Sequence, residues 1–258
     1  MPKVYFQGRV LPATVEISFS DIPEGKWEWT EEGLTLGFIV RIVKSQIEVE
    51  CTLDRYQDLY LAELYRRAFD LARACVNVAA FGTGFGIAVF FDSFIGPDGT
   101  TSSLVFPNPH LVSECTAFKM NPVTLEEKKD LETILALVMK EPALFMALND
   151  LIQAVSTPHM TPANCGRVLD GLRKLVAPGM EPKQGWPIFQ TSIQADEPYL
   201  AFISNHSKNP RHGEHTRVDG PTTIEIAKRT WIIMNRFLEF RKRGNRPLPL
   251  AEFPLLKG

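Results

Sequence analysis

The sequence predicts an α+β protein, with a β-rich N-terminal half and a helical C-terminal half. Three observations predict it. Between Val4 and Cys51, short β-prone runs alternate with turn residues, and apolar side chains recur at every second position. From Leu53 to Phe81, and repeatedly after Pro122, the apolar spacing lengthens to three and four residues. Between these regimes, the stretch from Pro107 to Pro122 contains three prolines and no sustained period. That places a boundary near residue 115, with a β-rich domain over 1–115 and a helical bundle over 116–258.

In chain order, Val4-Tyr5-Phe6 opens a strand whose apolar pattern continues through Val10, and Val15 to Phe19 reads as a second run. Trp27-Glu28-Trp29 reads as a strand, and period two puts both tryptophans on one face. The clearest hairpin has Phe38, Val40 and Ile42 on one side of Lys44-Ser45-Gln46 and Ile47, Val49 and Cys51 on the other; Arg41, Glu48 and Glu50 are then expected to face water. A long helix over 53–81 follows and ends at Gly82, Gly84 and Gly86. A strand from Ile87 to Phe94, a Gly96-Pro97-Asp98-Gly99 turn and a strand at Leu104-Val105-Phe106 complete the sheet. Helices are then expected from Thr124, from about Ala143 to Val155, and from Thr161. Pro178 to Pro187 reads as a link, Phe189 to Ser204 as partly helical with a break or a fresh start at Pro198, and Asn205 to Gly220 as a polar loop. Pro221 and a Thr222-x-x-Glu225 capping box start the last helix, with Ile224, Ala227, Trp231, Met234 and Leu238 as its buried stripe.

Composition bounds the function classes. A chain of 258 residues that is 45% hydrophobic and 22% charged, with net charge -2, is long enough and apolar enough to build conventional cores without disulfides or metals. Cys51, Cys75, Cys115 and Cys165 lie far apart with no C-x-x-C pair, which argues for reduced thiols and against a zinc knuckle. The N-terminus lacks the basic and apolar regions of a signal peptide. The uncharged run Ala74–Phe91 is interrupted by Asn77 and three glycines and reads as a helix end running into a strand, not a membrane span. The expected location is the cytoplasm, with no membrane partner and no cofactor.

The most unusual chemistry lies between Asn205 and Arg217, where His206, His212 and His215, three of the five histidines, fall within ten residues beside Lys208, Arg211 and Arg217. Imidazoles titrate near neutral pH, and the cations suit a phosphate. The bland alternative is a solvated loop that caps the last helix. The spacing lacks the helical H-E-x-x-H arrangement, and the arginines repel a cation, so no metal is assigned. From Lys208 to Arg246 there are ten Lys or Arg against four acids, a local excess that can serve as a nucleic-acid footprint or can stabilise helix C-termini. No G-x-S-x-G, P-loop or kinase signature occurs. Gly82-x-Gly84-x-Gly86 follows a helix and precedes a strand, the reverse of a phosphate-cradling order.

The helical half, in which a polar histidine-glycine loop precedes a capped amphipathic helix, resembles the HEPN superfamily of helical-bundle domains over roughly the last 130 residues. Ser204-Asn205 leading to His212-Gly213 matches the place of that superfamily's RNA-cleaving motif, with Asn205 at the polar position and His212 at the histidine position. Ser204 stands where the motif has arginine, so the resemblance implies fold and a nucleic-acid-related role more than cleavage. It implies homodimers as well. Metal-independent RNA cleavage, with His212 as general acid or base and Arg211 or Arg217 stabilising the phosphorane-like state, is its furthest extension.

Three readings are therefore expected to compete. The first is binding of RNA or another phosphate-bearing ligand through Lys208, Arg211, His212, His215 and Arg217, with His206 and Asn205 beside them. The second is a non-catalytic interaction protein that docks a partner on its sheet, and the third is a ribonuclease.

Overall fold

A computed structural model describes residues 1–19, 22, 25–29, 32–104, 128–211 and 218–258. The chain divides into two compact units, Met1–Phe106 and Pro107–Gly258. The expected boundary at residue 115 lies outside the described residues.

The first unit is one antiparallel six-stranded sheet in the order β2-β3-β4-β1-β5-β6. Its strands are β1 (Lys3–Leu11), β2 (Gly25–Trp29), β3 (Leu34–Val43), β4 (Gln46–Leu53), β5 (Ala88–Ile95) and β6 (Thr101–Ser103), with the helix α1 (Leu61–Thr83) between β4 and β5. The β3–β4 hairpin has the expected register, with Phe38, Val40 and Ile42 opposite Cys51, Val49 and Ile47. All six are buried. Its turn is the two residues Lys44 and Ser45, both at positive φ, the left-handed pair that suits the twist of a tight hairpin. Ser45 is held there by the 15–17 segment: its hydroxyl donates to the Val15 carbonyl and accepts the Ile17 N–H. Val15 to Phe19 is not a strand. It lies along the end of β3 that β2 leaves uncovered and joins it by a single bridge from Phe19 to Ile42.

Period two puts Val4, Phe6 and Val10 on the face that α1 covers, where Phe6 meets Tyr65, Phe91 and Phe94 at ring distances of 5.2–6.1 Å. Leu64, Ala68, Ala72 and Val76 supply the buried stripe of α1. The helix starts at Leu61, not at residue 53. Leu53 is the last residue of β4, paired with Leu36, and a short 3-10 turn at Asp58–Tyr60 precedes the helix. An apolar residue at a junction fits both periods, so spacing alone does not separate the two elements. Leu59 and Val78, apolar residues within the expected helix, are exposed. The helix ends at Gly84 in the left-handed conformation. Beyond β5, strand β6 covers 101–103 and Leu104 is buried, while Val105 and Phe106 of the expected strand lie outside the described residues.

Glu50 also departs from expectation, being buried on the second face of the sheet. Tyr5 and Ile39 are its cross-strand neighbours and flank it on that face. Lys3 Nζ at 2.6 Å and Arg41 Nη1 at 3.3 Å satisfy the carboxylate, and the hydrogen bond from Lys3 leads in holding its pKa below the usual 4.5. Because the unfolded chain takes up this proton first, the stability Glu50 supplies is complete above about pH 4.5 and is lost as pH falls through its lowered folded value. Glu50→Gln is therefore expected to flatten the pH dependence of unit 1 stability below pH 4.5. Urea unfolding between pH 3 and 7, roughly that whole window, checks it; an unchanged slope in the variant would remove Glu50 from the account.

The second unit contains α2 (Lys128–Lys140), α3 (Pro142–Ser156), α4 (Thr161–Val176), α5 (Pro182–Ile193), α6 (Glu197–Arg211) and α7 (Gly220–Lys242). α4 is the central helix, in contact with α3, α5, α6 and α7. Val168, Leu169 and Leu172 on α4 join Leu144, Leu151, Phe189, Ile203, Ile233 and Phe237 in one core. The N-cap of α7 is Asp219, whose carboxylate accepts the Thr222 N–H at 2.8 Å, rather than Thr222 itself. Burial opposes the charge of Asp219, but the Thr222 amide and hydroxyl hold its carboxyl below its ordinary pKa. Glu225 pairs with Arg229 instead of closing a capping box. The buried face of α7 includes Ile226, Thr230, Ile233 and Phe237 together with the expected Met234 and Leu238, while Ile224 is exposed. Among the described residues, no helix is long and apolar enough to cross a membrane.

Candidate functional site

Two helices, each read from sequence as helical only in part, form the site. α5 occupies much of the expected link: Pro182 sits in its first turn, where a missing N–H costs nothing, and Pro187 lies inside it at the loss of one backbone bond. α6 starts afresh at Glu197 with Pro198 in its first turn, one of the two outcomes expected at that proline, and runs far into the expected loop, ending at Arg211. Asn205, His206 and Lys208 are thus helical residues. A helix sorts its side chains by face, so these neighbours in sequence separate in space.

Asn205 faces a groove of about 350 Å³ between α5 and α6. Lys183, Trp186, Pro187 and Gln190 line it from α5, and Glu197, Leu200, Ala201, Ser204 and Asn205 from α6. Ala201, Ser204, Asn205 and Lys208 follow helical spacing on one face of α6, and Lys208 is exposed one turn beyond the groove. The lining combines an indole, two amides, a hydroxyl, one ammonium and one carboxylate, a mixture that suits a ligand with an unsaturated body and polar edges.

His206 turns away from the groove. Its Nδ1 donates to the Phe202 carbonyl at 2.7 Å, and its ring lies 4.8 Å from the Phe202 ring. Arg229 of α7 stacks on Phe202 at 4.3 Å and on Tyr199 at 4.7 Å. This cluster joins α6 to α7. The side chain of Arg211 and all of His212, His215 and Arg217 lie outside the described residues, as does the His212-Gly213 part of the matched motif.

Among the described residues, much of the positive excess from Lys208 to Arg246 is engaged within the bundle. Arg229 is stacked, Arg236 is buried with backbone carbonyls as partners, Arg241 pairs with Glu141, and Arg243 pairs with Glu239 and Glu252. These cations join segments of the bundle, while Lys208 and Lys228 remain on the surface.

Arg173, on the last turn of α4, does not line the groove but contacts one of its walls, although its position in sequence gives no sign of it. It is 4% exposed, and its guanidinium carbon lies 5.4 Å from the centroid of the Trp186 ring. Its Nε and Nη1 are buried with no hydrogen-bond partner. A guanidinium keeps its charge at any ordinary pH, and each unmet buried donor costs about 1–3 kcal/mol, more when charged. Burial pushes the Cys51 and Cys165 thiols up to about 12, which makes both poor nucleophiles. No three His, Cys, Asp or Glu side chains converge as a metal site among the described residues.

Residues 4–105 match the family model described as the N-terminal domain of a domain of unknown function, DUF8168, and residues 131–242 match the model of its C-terminal domain. Both halves of the family are present, in order, over most of the chain. The protein belongs to the DUF8168 family. The N-terminal DUF8168 segment coincides with the sheet and α1, and the C-terminal one contains both walls of the groove and Arg173. No curated protein and no solved structure matches the chain.

Proposed function

We propose that this DUF8168 protein is a binding protein whose helical unit takes a phosphate-bearing ligand, with short RNA the first to test, in the groove between α5 and α6. One observation carries the reading: Asn205 and Lys208, two of the residues that sequence chemistry singles out, share the groove face of α6 opposite Lys183 and Trp186. An indole supports a base by stacking, amides read base edges, and two ammonium groups attract phosphate. His206 has no part in this reading, because its ring is engaged with Phe202.

The expected result is binding of a short single-stranded RNA that weakens as salt rises, since each neutralised phosphate releases counterions. The double variant Lys183→Ala, Lys208→Ala removes two exposed cations and is expected to lower the slope of log affinity against log salt by about 1.4. Fluorescence anisotropy of a labelled oligonucleotide measures both. An unchanged slope in the variant, or no binding at low salt, overturns the reading.

A second reading rests on the surface of α2 and α3, where Leu135, Met139, Phe145, Met146 and Ile152 are all exposed. Large apolar side chains gathered on two consecutive helices favour a protein interface, in line with an interaction protein or a homodimer.

A further inference from the structure

The guanidinium of Arg173 lies 5.4 Å from the ring centroid of Trp186, a wall of the groove. We infer that Arg173 is the groove's anion anchor and that the ligand presents a terminal phosphomonoester to it. The inference rests on the groove being a phosphate-ligand site and adds which phosphate enters.

Gly185 makes the arrangement possible, because a Cβ there would stand 2.9 Å from Arg173 Nη1. The helix therefore leaves room for the guanidinium at the cost of a side chain. Arg173 is kept against the indole by stacking, while its Nε and Nη1 have no acceptor. Nε and Nη1 lie on different edges of the guanidinium, and each offers an N–H to a phosphate oxygen. Lys183, two residues before Gly185 and in the groove lining, supplies a second cation for a dianionic group.

Burial decides between the end and the middle of a nucleic acid. A phosphodiester within a strand brings chain on both sides and is held at a groove surface. A phosphate at a strand end, or on a mononucleotide, has one side free and can pass the indole edge. Trp186 shifts to admit it, exchanging its stack on the guanidinium for one on the ligand's base.

The test uses the intact chain and one pentaribonucleotide sequence in three forms: 5′-phosphate, 3′-phosphate, and both ends hydroxyl. One or both phosphorylated forms are expected to bind the wild type about tenfold or more tighter than the hydroxyl form, the increment of a charge-assisted pair. Arg173→Gln is expected to erase that difference while retaining the weaker, salt-dependent binding, and Arg173→Lys to restore part of it. Lys183→Ala, Lys208→Ala weakens all three forms. If the three forms bind the wild type equally, the anchor fails while the groove reading stands, and Arg173 is a prop for Trp186. If none binds, both fail. The wild-type comparison decides the matter even where an Arg173 variant does not fold.

Discussion

Gly8→Ala is expected to unfold the N-terminal unit or to cost it about 3 kcal/mol or more, an effect at the upper end of single substitutions. Gly8 lies in β1, where the pairing with β5 shifts register between Gln7 and Gly8. A Cβ at that position would fall 2.1 Å from the Phe90 carbonyl oxygen and 2.7 Å from the Phe91 Cα. Both are backbone atoms of a paired strand, so no rotamer change relieves the clash. β1 is also flanked by β4 and β5 in the middle of the sheet, so displacing it disturbs two ladders at once. Urea unfolding followed by circular dichroism measures the loss. A Gly8→Ala protein within about 0.5 kcal/mol of the parent would contradict this register.

The second large effect is expected at Arg236, and it concerns the helical unit. From the buried face of α7, Arg236 Nη1 donates to the carbonyls of Ile193 at 3.0 Å and Gln194 at 2.7 Å, and Nη2 to the carbonyl of Pro254 at 2.8 Å. It therefore joins the end of α5 to the last residues of the chain. Other bonds run in parallel, from the Leu248 amide to the Ser192 carbonyl and from the Leu256 amide to the Gln194 carbonyl. Arg236→Met keeps much of the volume and removes every donor, leaving three carbonyls to find other partners. The expected cost is about 3–5 kcal/mol, the range for breaking one partner of a buried charged network. Hydrogen exchange is expected to speed at the Leu248 and Leu256 amides before the α4 core opens. Unchanged protection at those two amides would show that the tail is held without Arg236.

The fold class was legible because its main signals are local. The β3–β4 hairpin follows from strict alternation on both sides of a short turn, and α7 from Pro221 at its start and Pro247 beyond its end. Junctions were less legible. Leu53 satisfies a strand period and a helix period equally, and the sheet claims it by pairing it with Leu36. Glu50 alternates as a surface residue does, yet the width of the sheet surrounds it with Tyr5, Ile39, Lys3 and Arg41.

Only part of the candidate site could be read from composition. Asn205 and Lys208 stand out by their chemistry, but reading their surroundings as a loop hides the fact that helical spacing parts them from His206. The opposite wall was concealed by proline. Pro182 and Pro187, five residues apart, suggest a link, while the first is well suited to a helix start and the second is tolerated inside a helix packed on α4 and α7. Arg173 carries no sequence signal at all, because its importance comes from burial and from the absence of an acceptor.

The central claim is that the groove between α5 and α6 is where the ligand sits. The measurement that tests it most directly is a titration of the ¹⁵N-labelled protein with the short RNA, following the indole N–H of Trp186 and the side-chain amide of Asn205. Both resonances are predicted to move together and to saturate, with Trp29 of the other unit unmoved. Binding that shifts resonances elsewhere and leaves Trp186 and Asn205 in place would contradict the account.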